Sequence, residues 1–248
     1  MMKHQILILA AGKGTRMGYS ELPKVLINLK GRPIISYILG QIAKLTGMPE
    51  PIIVVGFKHN QVKEVLKNGY TYVFQERQLG TAHAAMVAEK KVQAENVIVL
   101  YGDMPFITAH SLQRLMQLHE SEKSDISMFT AIVPNFSFPY ESLNNFGRII
   151  RDRFNNIVKI TEFKDASEAE RQIKEVNPGI YMFNSRWLWS NIHKIKNHNA
   201  QNEYYLTDIV EVAMQEGEKI HSLNINPNEV LGINTTQQLE EAERLLVI

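Results

Sequence analysis

Apolar residues in the first half of the chain follow two alternating spacings. Continuous apolar runs at 6–9 and 51–56 are typical of strands that are buried on both faces. Between them, behind Pro33, apolar residues recur every three or four positions from Ile34 to Leu45, which predicts an amphipathic helix. Because such strands and helices alternate, the pattern predicts a parallel sheet with right-handed crossovers.

The same reading extends along the whole chain. Strands are predicted at 6–9, 51–56, 70–74, 96–103, 125–133, 147–152, 156–163, 176–184 and 219–225, and helices at 34–45, 62–66, 81–92, 109–120, 185–196, 205–216 and 236–246. The second half is less regular, and its strands are expected to form an insertion that covers one end of the sheet. No Pro- or Gly-rich linker and no internal repeat divides the chain, so we expect a single domain over residues 1–248.

Composition narrows the range of functions. The 248 residues carry a formal net charge of +1 and include no cysteine. The near-neutral charge provides no general attraction to nucleic acids or membranes, and the lack of cysteine excludes disulfide and thiolate chemistry. The N-terminal apolar stretch is short for a signal peptide, and no run approaches the ~20 apolar residues of a membrane-spanning helix. We expect a cytoplasmic protein without nucleic-acid or membrane partners, whose composition is compatible with a homo-oligomer but does not indicate one.

A glycine-rich loop with positive charge follows the first predicted strand, at the edge where open parallel sheets bind ligands. Gly12 and Gly14 permit backbone N–H groups to approach an anion, and Arg16 and Lys24 can contact phosphate oxygens. The Walker sequence G-x-x-x-x-G-K-[ST] is absent, and Gly18 does not fit the dinucleotide fingerprint G-x-G-x-x-G. The residues are therefore compatible with a triphosphate-binding loop or with an ordinary turn that carries surface charges.

A second polar loop, QERQLGTAHA at 75–84, follows another predicted strand. The amides of Gln75 and Gln78 are able to read the edge of a uracil base through paired donors and acceptors. Gly80 allows close backbone approach, and Thr81 is expected to cap the following helix. The alternative is a plain helix-capping loop whose glutamines are solvated.

A carboxylate follows the predicted strand at 96–103. Asp103 is expected at the carboxyl edge of the sheet, facing the same crevice as Gly12. A carboxylate beside a triphosphate is best explained by Mg²⁺, which takes few protein oxygens and retains phosphate and water ligands. The alternative is that Asp103 only caps a helix.

The string LAAGKGTRM…LPKVL at 9–26 resembles the signature of the sugar-1-phosphate nucleotidyltransferases, the pyrophosphorylases. The resemblance covers the chain from about residue 6 to 244 and recurs in QERQLGTAHA, LYGDMPF, FGRI, EFKDA, EVNPGIY, NAQNEYYLTD and GIN. Within this family, the chain is most similar to the uridylyltransferase domain of bacterial N-acetylglucosamine-1-phosphate uridylyltransferases. It has four residues between Met17 and Leu22 where the family usually has three, and residues 1–248 contain no hexapeptide-repeat acetyltransferase domain of the kind that many members carry at the C-terminus.

The resemblance implies a role for each matching residue. Nucleotide binding is implied for Ala10, Ala11, Gly12, Gly14, Thr15, Gln75, Gln78, Gly80, Thr81 and Gly102. Sugar binding is implied for Gly147, Glu162, Asn177, Glu203, Tyr205 and Thr207. Arg16, Lys24 and Asp103 are implied to be catalytic, and Asp103 and Asn234 to hold the cofactor Mg²⁺. Tyr204 and Leu206, which lie in the same string as the sugar residues, are better interpreted as core.

The family also implies a fold and a reaction. The fold is α/β: a Rossmann-like, mostly parallel sheet flanked by helices, with a smaller β-rich insertion on the sugar side, as in nucleotide-diphospho-sugar transferases. The reaction is transfer of UMP from UTP to N-acetylglucosamine 1-phosphate, giving UDP-N-acetylglucosamine and pyrophosphate, and EYYLTD at 203–208 favours this acceptor. Alternatives are another sugar or alcohol phosphate as acceptor, a CTP-dependent cytidylyltransferase, or a regulatory module that binds nucleotide sugars without catalysis.

Overall fold

The computed structural model of the chain describes residues 2–14, 17–18, 21–67, 69–199 and 201–246. The strands are β1 (His4–Ala10), β2 (Asn28–Leu29), β3 (Arg32–Pro33), β4 (Ile52–Val55), β5 (Thr71–Phe74), β6 (Asn96–Tyr101), β7 (Ile126–Ile132), β8 (Gly147–Arg151), β9 (Ile157–Thr161), β10 (Glu175–Asn177), β11 (Tyr181–Asn184) and β12 (Ile220–Ile225). The α-helices are α1 (Ile34–Ile42), α2 (His59–Leu66), α3 (Thr81–Met86), α4 (Ala109–Ser121), α5 (Glu168–Arg171), α6 (Ser185–Asn191), α7 (Ile209–Gln215) and α8 (Thr236–Leu245). Short 3₁₀ turns connect several of these elements, including Lys24–Leu26, Leu206–Asp208 and Pro227–Val230.

A large mixed sheet organises the chain. Its first half is parallel, in the order β5-β4-β1-β6, as the alternation of strands and helices predicts. The order then continues through β11, β7, β10, β8 and β9 with antiparallel pairs, while β12 pairs with β7 in parallel. The predicted α/β fold is confirmed, and the β-rich second half joins the same sheet.

Helices cover both faces of this sheet. Along β1, Ile6 and Ile8 pack with residues of α1, α2 and α4 on one face, whereas Leu7 and Leu9 pack with residues of α3, α6 and α7 on the other. Because successive strand residues point to opposite faces, a strand buried on both sides requires an unbroken apolar run. This arrangement leaves the ends of the strands, and not their faces, as the place where ligands can bind.

The stretch at 176–184 is not the single strand that its apolar pattern predicts. It forms β10 and β11, which pair with opposite ends of β7. Pro178 has no N–H for a ladder bond, and Gly179 adopts a positive φ of 76°. The sheet therefore divides at these two residues: β11 continues toward β6, and β10 continues toward β8.

Several predicted helices are shorter than expected. The helix predicted at 185–196 ends at Asn191 and is followed by the 3₁₀ turn Ile192–Lys194. The helix predicted at 81–92 ends at Met86 and is followed by a separate 3₁₀ turn, Glu89–Lys91. The helix predicted at 205–216 begins as the 3₁₀ turn Leu206–Asp208 before α7. Among the described helices, none combines the length and apolar character needed to cross a membrane.

Candidate active site

Three neighbouring parallel strands end at one crevice. Gly12 lies two residues after the end of β1, Gly56 one residue after β4, and Asp103 two residues after β6. Two adjoining pockets of about 220 Å³ each lie at these strand ends. We call them the strand-end pocket, beside β1 and the loop after β5, and the fork pocket, beside the division at Pro178. Tyr101 and Asp103 line both pockets and so form their shared wall.

The predicted residues divide between these pockets. The strand-end pocket is lined by Ala10, Ala11, Gly12, Lys24, Gln75, Gln78, Gly80, Thr81, Asp103 and Glu203, among others. The fork pocket is lined by Asp103, Gly147, Glu162, Asn177, Thr207 and Asn234, among others. Of the predicted sugar residues, Glu203 lies on the strand-end pocket and Tyr205 lines neither pocket. The Tyr205 hydroxyl donates to Gln201 Oε1 at 2.5 Å.

Three chain segments converge on one positive charge at the shared wall. Lys24 Nζ lies 2.5 Å from Asp103 Oδ2 and 2.9 Å from Asn234 Oδ1. Lys24 and Asp103 side chains are each 15% exposed, so the ion pair is screened less than a surface pair. The family pattern implied Lys24 on phosphate, and four residues instead of three before Leu22 still deliver its side chain to this wall.

Local structure fixes each of these side chains. Lys24 begins the 3₁₀ turn Lys24–Leu26, whose next two residues are buried. The carbonyl of Asp103 accepts the backbone N–H of Ile233 at 3.0 Å, which brings Asn234 beside it. Asp103 does not cap a helix, since α4 begins at Ala109 with Thr108 as its N-cap. That alternative for Asp103 is therefore wrong.

The loop after β5 is held in place by the segment around Tyr204. Tyr204 N donates to Leu79 O at 2.8 Å, and Ala82 N donates to Tyr204 O at 2.9 Å. Gly80 has φ of 112°, and a Cβ on it would lie 2.7 Å from Tyr204 N. Only glycine fits this contact, because other residues are strained at such φ and the neighbouring atom is backbone.

Thr81 does not cap the helix that it begins. The N-cap position of α3 is Gly80 and has no side-chain cap. Thr81 Oγ1 instead accepts the backbone N–H of Leu206 at 2.9 Å. Leu206 is fully buried and Tyr204 packs against the same cluster, which confirms the interpretation of both as core.

The fork pocket contains a half-buried carboxylate. Burial raises the pKa of Glu162, and Asp165 raises it further, while a hydrogen bond from Thr207 opposes the shift. A Cβ on Gly147 would lie 3.4 Å from Glu162 Oε1, so the glycine leaves room beside this group. Glu162 is thus an acceptor for hydroxyl groups in a poorly solvated place.

Asn177 is anchored by both ends of its amide. Its Oδ1 accepts Gly179 N at 2.9 Å, and its Nδ2 donates to Tyr181 Oη at 2.7 Å. One N–H and one lone pair of the amide remain for a ligand. Burial raises the pKa of the Tyr181 phenol, so it stays neutral and able to hold this bond.

Several predicted residues have other placements. Gly102 lies beneath the pockets, where a Cβ would lie 3.1 Å from Val25 Cγ1. Gly14 has φ of 67° and packs against the Lys24 side chain, where a Cβ would lie 2.7 Å from Lys24 Cβ. Thr15 and Arg16 lie outside the described residues, so their predicted roles stay predictions.

Sequence reasoning missed Tyr101 and Gly179 among the lining residues, and Gly56, which packs against Ala11. Tyr101 forms the wall between the pockets, and burial raises the pKa of its phenol. A Cβ on Gly179 would lie 2.8 Å from the Tyr101 ring, and one on Gly56 would lie 2.6 Å from Ala11 O. The sequence signals that could have identified two of them were Tyr101 at the carboxyl end of β6 and Gly56 directly after β4.

The fold is shared with a solved nucleotidyltransferase. UDP-glucose pyrophosphorylase complexed with UDP-glucose matches with a TM-score of 0.79 at 18% identity, over 99% of this chain and 98% of that chain. At this level of identity the likeness shows a shared α/β fold. The profile of the MobA-like NTP transferase domain matches residues 6–139, more than half of the chain. The chain belongs to this MobA-like NTP transferase family.

Curated relatives are similar along nearly the whole chain. The bifunctional protein GlmU of Caldicellulosiruptor saccharolyticus is 42% identical over 248 residues, which cover 98% of this chain and 52% of the relative. GlmU of Brevibacillus brevis is 39% identical over 246 residues, which cover 98% of this chain and 51% of that relative. The chain therefore spans about half the length of the curated relatives it matches.

Proposed function

We propose that the chain transfers UMP from UTP to N-acetylglucosamine 1-phosphate, giving UDP-N-acetylglucosamine and pyrophosphate. The observation that carries the proposal is the convergence of Asp103 and Asn234 on one cationic group at the wall between two pockets. A nucleotide on one side and a sugar phosphate on the other would meet at this wall. The similarity to GlmU proteins and the EYYLTD string support this choice of substrates.

The reaction needs positioning more than acid–base chemistry. A sugar phosphate is already a nucleophile at pH 7, so no general base is required. Its oxygen attacks the α-phosphorus of UTP, a new P–O bond forms, and the bond to the leaving pyrophosphate breaks. Catalysis is then orientation plus neutralisation of phosphate charge. In this proposal the backbone around Gly12 receives the triphosphate, and Lys24 and Arg16 neutralise its oxygens.

The residues at the wall fit a magnesium ion. Asp103 and Asn234 offer a carboxylate and an amide oxygen, which are hard ligands, and both already face one cation. Two protein ligands suit Mg²⁺, which keeps phosphate and water oxygens around it. When bound, the ion would supply charge neutralisation and alignment of the two phosphates. With the ion bound, Lys24 would be repelled from Asp103 and would be available to phosphate.

The fork pocket is proposed to receive the amino sugar. Glu162 accepts hydroxyl groups, and the remaining N–H and lone pair of Asn177 suit hydroxyl or acetamido groups. Thr207 holds Glu162 from the side of the segment before α7. Glu203 lines the strand-end pocket and Tyr205 lines neither pocket, so their contact with the sugar stays a prediction.

A substrate panel tests this function. Pyrophosphate release is measured for UTP, CTP, ATP, GTP and dTTP with N-acetylglucosamine 1-phosphate and glucose 1-phosphate, with Mg²⁺ and with excess EDTA. We expect the largest kcat/KM for UTP with N-acetylglucosamine 1-phosphate, and loss of turnover in EDTA. A preference for CTP or for glucose 1-phosphate would replace the proposed substrates. Binding of UDP-sugar without pyrophosphate release from any pair would indicate a regulatory module.

A further inference from the structure

The amide of Gln75 is clamped from two sides. Its Nε2 lies 3.2 Å from Gly80 O and 2.8 Å from His83 Nδ1. Gly80 O accepts hydrogen bonds and cannot donate, so it requires the nitrogen, and not the oxygen, of the amide on this side. The same geometry makes His83 Nδ1 an acceptor, with the proton of the neutral ring on Nε2.

The clamp leaves one group of Gln75 for a ligand. Both N–H donors of the amide are engaged, and the Gln75 backbone is bonded to Val55 O and to the Gln78 side chain. Gln75 is only 2% exposed and lines the strand-end pocket. Its Oε1 therefore offers the pocket a fixed acceptor and no donor.

A fixed acceptor distinguishes the two pyrimidine bases. Uracil carries a proton on N3 and can donate from it, whereas N3 of cytosine at neutral pH is itself an acceptor. A base that presents N3 to Oε1 gains a hydrogen bond if it is uracil and meets lone-pair repulsion if it is cytosine. If the Gln75 amide could rotate, Nε2 would donate to N3 of cytosine equally well. The preference for uracil over cytosine therefore depends on the groups that prevent this rotation.

We propose that His83 is a positioning residue for base selection, which orients the Gln75 amide through Nδ1 so that the pocket prefers uracil over cytosine. This inference rests on the proposed function and deepens it. His83 is the third residue of α3 and is half-buried, so the helix holds the ring at a fixed place beside the loop. Burial and the neighbouring Arg77 lower the pKa of His83, which keeps the ring neutral and accepting at neutral pH.

The test compares discrimination in matched variants. The ratio of kcat/KM for UTP to that for CTP is measured in the wild type, in His83→Ala and His83→Leu, and in His83→Asn, whose Oδ1 can replace Nδ1 as an acceptor. We expect the ratio to fall about tenfold in His83→Ala and His83→Leu, as for loss of one hydrogen bond, and to stay within about threefold of the wild type in His83→Asn. His110→Ala, at an exposed histidine of α4, should leave the ratio unchanged.

Two outcomes would overturn the inference. One is an unchanged ratio in His83→Ala and His83→Leu, and the other is an equal fall in His83→Asn, which would indicate a packing role. His83→Leu retains the bulk of the ring if His83→Ala does not fold. Equilibrium binding of UTP and CTP without acceptor, measured by calorimetry, gives the same ratio without turnover. If wild type turns over neither nucleotide yet the binding ratio responds to His83, the proposed function fails and the inference stands.

Discussion

Lys24 Nζ lies 2.5 Å from Asp103 Oδ2, although 79 residues separate them in sequence. The amide oxygen of Asn234 completes the contact from the last part of the described chain. The protein thus carries its own cation at the place where a divalent metal is proposed to bind. The proposed metal would compete with the lysine for the same oxygens, and this competition can be measured without any turnover.

Removal of the lysine charge should strengthen metal binding by the nucleotide-free protein. In Lys24→Met, Mn²⁺ used as a probe for Mg²⁺ no longer displaces an ammonium group, and we expect its Kd to fall about tenfold, the equivalent of about 1.4 kcal/mol. Free Mn²⁺ is quantified by its electron paramagnetic resonance signal. Lys13→Met removes an exposed charge from the same loop and serves as the control. Equal affinities in wild type and Lys24→Met would show that Lys24 does not occupy the metal position.

Loss of the carboxylate should abolish most turnover while the fold survives. We expect Asp103→Ala to lower kcat by about 10²–10³, the usual effect of removing one preorganised charge contact. Arg16→Ala is expected to lower kcat by the same factor. Initial rates of pyrophosphate release are measured beside the melting temperature, with Glu64→Ala on the exposed face of α2 as control. Near-normal kcat in folded Asp103→Ala would remove Asp103 from the reaction.

A methyl group on Gly80 should disrupt the loop after β5. The φ of 112° and the approach of a Cβ to 2.7 Å from Tyr204 N predict that Gly80→Ala loses more than about 2 kcal/mol of unfolding free energy. The matched control is Gly217→Ala, which has φ of 79° but no atom within 4 Å of its Cβ and should lose only about 1 kcal/mol. Urea unfolding measures both variants. Equal losses would mean that backbone strain alone, and not contact with Tyr204, explains the glycine.

Acid should destabilise the protein through a buried histidine. His119 is 2% exposed and contacts Ser127 and Asn96, and burial lowers its pKa from the ordinary 6.5 to about 4. Between these pH values the unfolded chain binds more protons than the folded one, so stability is complete above about pH 6.5 and declines as the pH falls toward 4. The full contribution is roughly 3 kcal/mol.

Denaturant unfolding at pH 7.5 and pH 4.5 measures this loss. His119→Gln lacks the titrating group, so its difference in unfolding free energy between the two pH values should be smaller than that of the wild type. His110→Gln, at an exposed position, should retain the wild-type difference. An undiminished difference in His119→Gln would assign acid sensitivity to other groups.

The sequence pattern predicted the parallel half of the sheet because the residues of a strand such as β1 are enough to indicate that it is buried on both faces. Ile6, Leu7, Ile8 and Leu9 are buried on both faces, and an unbroken apolar run predicts that burial directly. The division at Pro178 and Gly179 was missed because the apolar residues before and after this pair were interpreted as one strand, although a Pro-Gly pair marks a turn. Its position depends on which strands lie next to β10 and β11, and that is tertiary information.

The candidate site shows the same limit. The glycine loop, Asp103 and Asn234 were placed at one crevice from strand ends and family resemblance, and the structure brings Asp103 and Asn234 together there. The partner of Lys24 in the absence of ligand could not be predicted, because an ion pair across 79 residues leaves no periodic signal. Thr81 was misassigned for a similar reason: its hydroxyl contacts Leu206, distant in sequence, in preference to its own helix.

The division of the sheet at Pro178 and Gly179 also bears on how such a protein can change over evolution. The wall of the strand-end pocket follows β1 and β5, whereas Gly147 and Glu162 of the fork pocket are carried by β8 and the segment after β9. Under the proposed function, mutations that reshape recognition of the sugar can therefore accumulate around β8 and β9 while the strand-end pocket is inherited intact. A lineage with this architecture could then acquire a new sugar phosphate acceptor while it keeps the same nucleotide donor.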